Sequence, residues 1–192
     1  MDPVQTLARI EALISVYSAV ELVRTATYFR KPEPSTGVSV LATIPFAALF
    51  IGGNSTYVYG IFKRVTSGTA GLGQVATVAV LQVASHLLWA WACRTVAKGQ
   101  FTVALSKDKP KELVTTGPYA YVRNPFYTAY LLTYAATALL SGRPVDFALW
   151  VCFYVCYYLV TIGEQRKFEK SELAEAYARF KATRARFFYG DF

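Results

Sequence analysis

The stretch "TTGPYAYVRNPFYTAYLL", residues 115–132, runs from a Gly-Pro turn through Arg-Asn-Pro directly into an apolar segment. Asn124 is a residue type favoured at a helix N-cap, and Pro125 suits the first helical position. Arg123 and the nearby tyrosines are typical of a membrane interface. The stretch therefore predicts a membrane helix starting at Pro125. It leaves open whether the polar entrance is only a capped helix start or part of a functional site.

The composition of the whole chain indicates an integral membrane protein. Of the 192 residues, 54% are hydrophobic and 16% aromatic, and the mean hydropathy is +0.31. The apolar residues form blocks about as long as the roughly 30 Å hydrocarbon core of a bilayer. We therefore predict an all-α, multi-pass bundle with about five spans, at residues 6–27, 37–61, 74–97, 125–141 and 145–163.

Two regions are expected within this bundle. Residues 1–97 hold the first three spans, and residues 98–192 hold two spans with long polar segments. The second block contains Gly52, Gly53 and Asn54, which leaves open that its helix ends before them.

The basic residues between the blocks predict the orientation of the chain. Fifteen lysines and arginines fall on the side of the 98–124 segment and the C-terminal tail, and three fall on the other side. Because basic loops stay on the cytosolic side, we expect an outside N-terminus and a cytosolic C-terminus. The membrane would be the endoplasmic reticulum of a eukaryote or the inner membrane of a bacterium.

The remaining charged and sulfur-containing residues argue against other classes of protein. The formal charge of +8 is spread over loops next to the membrane, which suits anionic lipid headgroups better than nucleic acid. Cys93, Cys152 and Cys156 lie in apolar blocks and match no ligand spacing. We predict no nucleic-acid partner, no metal and no disulfide.

Polar residues inside two of the blocks predict contacts between helices. Gln82, Ser85 and His86 share one helical face, which should point into the bundle. A hydrogen-bonded helix contact is the favoured interpretation, and a substrate-pocket role for His86 stays open. Glu21 and Arg24 are expected to form an intramembrane pair.

Two polar segments, 98–124 and 164–192, leave neighbouring spans on the predicted cytosolic side. The second is expected to be an amphipathic helix, since apolar side chains recur at helical spacing at Phe168, Leu173, Tyr177 and Phe180. Together the segments could enclose a pocket that takes a water-soluble cofactor from the cytosol and a lipophilic substrate from the bilayer.

The run "ELVTTGPYAYVRNPFY" at 112–127, followed by "GEQRKFEKSELAEAYARFKATRARFF" at 163–188, resembles a known family. The isoprenylcysteine carboxyl methyltransferases and their phospholipid N-methyltransferase relatives show Leu-Val, Gly-x-Tyr, Arg-His-Pro-x-Tyr, Glu-Glu and Glu-x-Tyr in this order. The resemblance covers about residues 98–189. It implies a small helical membrane scaffold and S-adenosylmethionine as the cofactor.

The resemblance also implies roles for individual residues. The adenosyl side of the cofactor would be lined by Lys111, Glu112, Leu113 and Val114, with Tyr119 packed on it. The methionine end would lie against Asn124, Pro125, Phe126 and Tyr127, where free backbone N–H groups suit a carboxylate. Glu164 would be the acidic contact to the cofactor. The residues expected to act in catalysis are Arg123, Asn124 and Glu164.

The chain departs from the family pattern at three points. Asn124 replaces His, which keeps hydrogen bonding but removes a group that titrates near neutral pH, so we expect it to hold the cofactor. Gln165 replaces the second Glu, and no Arg precedes Glu164 in "YLVTI". Arg123 or Arg166 could replace that Arg, and Arg166 and His86 are the predicted substrate contacts.

Several functions remain open from the sequence. Carboxyl O-methylation of an isoprenoid or prenylcysteine-like acid is preferred, because a carboxylate is already ionised and needs no base. Methylation of a phospholipid or other amine, an NADPH-dependent reductase of the sterol type, and a noncatalytic membrane scaffold are the alternatives. The expected partners are a lipophilic or prenylated substrate and membrane lipids, with the oligomeric state left open.

Overall fold

The computed structural model of the chain describes residues 2–30, 40–102, 106 and 108–188. Within these residues there are six α-helices: α1 Pro3–Thr25, α2 Val40–Ser67, α3 Leu72–Thr95, α4 Pro125–Ser141, α5 Pro144–Glu169 and α6 Ala174–Thr183. Two short strands, β1 Phe29–Arg30 and β2 Phe101–Thr102, pair in parallel, and a 3₁₀ turn spans Gly117–Ala120. The fold is thus helical, as predicted.

Helix α4 is the centre of the bundle. Most of its side chains are buried, and its most extensive packing is against α3, with α1, α2 and α5 around it. The Ser85 hydroxyl on α3 donates to the backbone oxygen of Ala129 on α4 (2.7 Å). The helix ends at Gly142, whose φ of 67° is the left-handed conformation that glycine adopts readily.

Stacked aromatic rings form the core between α2, α4 and α5. Tyr134 and Phe153 lie nearly parallel with ring centroids 4.4 Å apart, and Tyr57 stacks on the same pair. Tyr157 continues the stack one turn further along α5. Such rings bury large areas, so the pairs fix the helices relative to one another.

Two of the described helices, α3 and α5, are long and apolar enough to cross a membrane. Helix α4 has 17 residues, or about 26 Å, which is shorter than a typical hydrocarbon core. Helix α1 carries Arg9, Glu11, Glu21 and Arg24. The count of five spans therefore stays a prediction.

Some boundaries differ from those expected. Helix α2 continues through Gly52, Gly53 and Asn54 to Ser67, and the Asn54 amide donates to the Phe50 oxygen (2.7 Å) within the helix. The single amphipathic helix predicted from residue 164 is divided: α5 continues to Glu169, and α6 begins at Ala174 after a turn.

The polar connections collect at the end of the bundle where α4 begins. Val122 bridges Ala185, and the backbone N–H of Arg123 donates to the Ala185 oxygen (2.8 Å). At the other end, the Arg143 guanidinium donates to both oxygens of the fully buried Asp146 (2.9 and 3.0 Å). The predicted motif residues at the start of α4 therefore lie at one end of the bundle, and a structural ion pair closes the other.

Candidate functional site

The start of α4 is joined to the segment after α6. Asn124 occupies the N-cap position, yet its side chain makes no capping hydrogen bond. Its Nδ2 donates instead to the backbone oxygen of Arg186 (3.1 Å), and the Thr128 hydroxyl donates to the oxygen of Phe187 (2.9 Å). The polar helix entrance is therefore more than a capped helix start, because its side chains connect distant parts of the chain.

Glu164 reaches this site from α5. Its Oε1 accepts a hydrogen bond from the Tyr127 hydroxyl (2.8 Å), although the two residues lie 37 positions apart. The Tyr127 ring stacks on Tyr157 of α5 with centroids 5.0 Å apart. This packing holds the hydroxyl toward the carboxylate, so the two motif segments recognised in the sequence meet at one point.

Tyr119 lies close enough to Glu164 for the carboxylate charge to act on its hydroxyl. Burial raises the pKa of its hydroxyl well above the ordinary value, and the charge of Glu164 raises it further. The ring is placed by the turn that begins at Gly117, where φ is 58°. A Cβ atom at Gly117 would overlap the side chain of Thr95, so this turn requires glycine on two counts.

Arg123 is buried next to these residues, with 6% of its surface exposed. Burial raises the pKa of the Tyr177 hydroxyl on α6, and the positive charge of Arg123 lowers it. The Nε and Nη2 atoms of Arg123 have no hydrogen-bond partner among the described residues. A charged group with free donors in a buried position is suited to binding an anion.

The predicted adenosyl segment leads into this site. Leu113 and Val114 are half-buried and pack against the main aromatic core. Lys111 and Glu112 are exposed, and Glu112 accepts a hydrogen bond from the Gln100 amide (2.7 Å). The structure therefore places the apolar pair inward and the charged pair outward.

The predicted substrate contacts are separate from this cluster. Arg166 is exposed on α5. His86 donates from Nδ1 to the Gln82 backbone oxygen, and its Nε2 lies 3.5 Å from the Glu21 carboxylate. The inward-facing stripe on α3 is confirmed as a set of helix contacts, since Gln82 also donates to Ser15 (2.8 Å).

Arg24 was expected to pair with Glu21. Its guanidinium lies over the Trp89 ring instead, 5.4 Å from the centroid. His86 is therefore the residue within ion-pair distance of Glu21.

A cavity of about 90 Å³ lies between α1, α2, α3 and α4. Its lining includes Glu21, Asn54, Trp89 and three tyrosines, Tyr57, Tyr130 and Tyr134. No lysine or arginine belongs to its lining in the described part of the chain. His86 lies next to the cavity through its contact with Glu21.

Arg186 is the site residue that the sequence did not reveal. It is 8% exposed, its Nη1 donates to the Thr161 hydroxyl (2.7 Å), and its guanidinium lies 4.3 Å from the centroid of the Tyr158 ring. It comes next to Asn124 through backbone pairing between segments some 60 residues apart. The only local signal was an arginine within the aromatic sequence "RFF".

These features define an α-helical protein with two helices that could cross a membrane and a buried cluster of polar and aromatic side chains at one end of the bundle. Residues 70–179 match the family model of phospholipid methyltransferases, which covers more than half of the chain, from just before α3 into α6. The chain therefore belongs to the phospholipid methyltransferase family, and the resemblance found in the sequence is confirmed. Comparisons with curated proteins and with solved structures gave no match.

Proposed function

We propose that the protein is an S-adenosylmethionine-dependent methyltransferase acting on a lipophilic acceptor at the end of the bundle where α4 begins. The observation that carries this proposal is the hydrogen bond between the Tyr127 hydroxyl and the Glu164 carboxylate (2.8 Å). It joins the two motif segments of the family into a single site. Family membership supports the methyl-transfer chemistry.

The side chains at this site fit S-adenosylmethionine. The Glu164 carboxylate suits the ammonium group of the cofactor, and the unpartnered Nε and Nη2 atoms of Arg123 suit its carboxylate. The buried Tyr119 ring and the half-buried Leu113 and Val114 offer an apolar wall for the adenosine. Glu164 and Arg123 together match the zwitterionic methionine end.

The protein's contribution to the reaction would be alignment and exclusion of water. When bound, the cofactor supplies a sulfonium methyl group whose C–S bond breaks as the bond to the acceptor forms, with the electron pair left on sulfur. Tyr127 orients Glu164, which would hold the cofactor's ammonium, and the buried Tyr119 ring would exclude water from the adenosine. Such positioning supplies most of the rate gain in a displacement of this kind.

Carboxyl O-methylation is the proposed reaction, with an isoprenoid or prenylcysteine-like acid as the acceptor. A carboxylate is ionised at neutral pH, so the reaction needs no general base.

An amine acceptor is the second candidate, and the cavity between α1 and α4 favours it. Glu21 and the rings of Tyr57, Trp89, Tyr130 and Tyr134 would attract an ammonium group by charge and by cation–π contacts. The amine acceptor could be a phospholipid. In either case we propose that the site faces the cytosol, with the protein in an endoplasmic reticulum or bacterial inner membrane.

Methyl transfer from radiolabelled S-adenosylmethionine tests the proposal. Detergent-purified protein is supplied in parallel with a prenylated thio-carboxylic acid, the matching prenylated amine and phosphatidylethanolamine. We expect label in the acid. Label in either amine alone would establish the second candidate, and NADPH binding without S-adenosylmethionine binding would favour a reductase. The Glu164→Ala variant serves as the inactive control.

A further inference from the structure

Arg186 lies beyond the residues matched to the family, and the proposed cofactor contacts do not use it. Its side chain is more than nine-tenths buried, and its Nε atom has no hydrogen-bond partner among the described residues. The Thr161 hydroxyl and the Tyr158 ring hold the guanidinium in place from α5. The side chain is thus fixed but not fully satisfied.

Arg123 and Arg186 are brought together by the chain itself. The segments that carry them are joined through the bridge between Val122 and Ala185, and the Asn124 amide donates to the Arg186 oxygen. Tyr177 lies close to both guanidinium groups: burial raises the pKa of its hydroxyl, and both positive charges lower it. One buried region therefore holds two positive charges.

These charges lack a counter-ion in the described part of the chain. Neither guanidinium forms an ion pair there, although Glu164 is close enough to influence the same tyrosine. An arginine cannot lose its charge by deprotonation at physiological pH, so burial leaves the guanidinium in need of an anion. Three buried donor atoms, Nε and Nη2 of Arg123 and Nε of Arg186, have no hydrogen-bond partner among the described residues.

We propose that Arg123 and Arg186 form an oxyanion-binding site in which Arg186 determines specificity for a ligand carrying a carboxylate or phosphate. The proposal rests on the proposed methyltransferase function. The oxyanion belongs to one of two sources, the methionine carboxylate of the cofactor or an anionic group on the acceptor. Both sources present the oxygens of a carboxylate or a phosphate, which guanidinium groups bind with charge-assisted hydrogen bonds.

Cofactor analogues distinguish these sources. Equilibrium binding of S-adenosylmethionine and of decarboxylated S-adenosylmethionine is measured for the wild type, Arg186→Gln and the control Arg179→Gln. Arg179 is exposed on α6, so its replacement removes the same charge without touching the site. We expect the wild type and the control to favour the intact cofactor by about tenfold or more, and Arg186→Gln to lose that preference.

An acceptor-derived oxyanion gives a different result. Arg186→Gln would then bind S-adenosylmethionine normally, while its KM for an acidic acceptor would rise about tenfold at unchanged kcat. Arg186→Lys keeps a positive charge and should restore part of either effect, which separates charge from loss of the Thr161 contact. Unchanged cofactor preference together with unchanged acceptor KM would overturn the proposal.

Two further measurements complete the test. Asp191, which lies outside the described residues, is the nearest acidic residue along the sequence. Asp191→Asn should leave ligand affinity unchanged, and a large gain in affinity would make Asp191 the counter-ion and overturn the proposal. If the wild type binds no S-adenosylmethionine, the methyltransferase proposal fails. Inorganic phosphate should then still raise the Tm of the wild type but not that of Arg186→Gln. An equal phosphate-induced increase in Tm for both proteins, or none for either, would overturn the oxyanion site also.

Discussion

At the residue scale, Asn124 lies at the N-cap of α4, but its side chain does not cap the helix. Asparagine at an N-cap normally uses its side-chain oxygen to accept a backbone N–H of the first turn. Here the amide nitrogen donates to Arg186 instead, and the backbone oxygen of Asn124 accepts from Thr128 (3.0 Å). The side chain thus connects α4 to the segment after α6.

Replacing Asn124 by Ala should therefore affect stability as well as binding. Loss of its hydrogen bond to Arg186 should lower the free energy of unfolding by about 0.5–1.5 kcal/mol. Thermal unfolding in detergent measures this change, and titration with S-adenosylmethionine should show weaker binding. Asn124→His should recover part of both, since a ring nitrogen can donate to the same oxygen. An Asn124→Ala protein with wild-type stability would show that this contact contributes nothing.

Glu164 and Glu169 form a matched pair for testing the acidic cofactor contact. Glu164→Gln keeps a hydrogen-bond acceptor for Tyr127 but removes the charge, so cofactor affinity should fall by about 1.5–3 kcal/mol. Glu169→Gln should have little effect, because Glu169 is exposed and contacts Gln165 and Lys181. Radioligand binding to both purified variants decides the matter. Equal affinities would mean that the cofactor does not contact Glu164.

At the element scale, the turn before α4 depends on one glycine. Gly117→Ala should lower the free energy of unfolding by about 1–2 kcal/mol from the positive φ alone, with a further cost from contact with Thr95. Gly73 is the control, because it lies in the first turn of α3 with no atom within 4 Å of an added Cβ. Gly73→Ala should be neutral or stabilising in the same unfolding experiment. A Gly117→Ala protein as stable as Gly73→Ala would contradict this account of the turn.

The helices could be predicted where local chemistry decides their ends. Block 125–141 coincides with α4, since Pro125 starts it and Gly142 ends it. The continuation of α2 past Gly52 and Gly53 could not be predicted, because Gly53 packs against the ring of Phe153 on α5, a hundred residues away. The division between α5 and α6 was not predicted either. It allows the rings of Phe168 and Tyr177 to stack across the turn, with centroids 4.5 Å apart, and helical spacing in the sequence does not indicate this contact.

At the scale of the whole molecule, the 98–124 segment and α6 should face the same aqueous compartment. The native Cys93, Cys152 and Cys156 are first replaced, and single cysteines are then introduced at Lys63, Lys98 or Glu175. Lys63, Lys98 and Glu175 are all exposed. A membrane-impermeant thiol reagent should label Lys98→Cys and Glu175→Cys from one side and Lys63→Cys from the other. Labelling of the first two from opposite sides would be incompatible with the site and with the enzyme proposal.

The site could be predicted only in part, because some of its residues are brought together by contacts between segments far apart in the sequence. Glu164 and the position of Asn124, where the family pattern has His, were recognisable from the order of the family's motifs. Arg186 could not be recognised as a site residue. Its position depends on backbone pairing between residues 122–124 and 185–186, and a periodic pattern within one segment does not indicate such pairing. The cavity near Glu21 is formed by residues from four helices. The sequence indicated some of its polar residues, but it could not show that these residues enclose a cavity.

The pairing of Val122 with Ala185 also bears on how the protein is made. Residues 122–124 leave the ribosome before α4 and α5, whereas residues 185–187 follow only after α6 has been synthesised. Three helices, α4, α5 and α6, must therefore be synthesised before Arg123 and Arg186 can meet. Until then the proposed site is incomplete, so we expect methyl transfer only from chains in which α6 has joined the bundle.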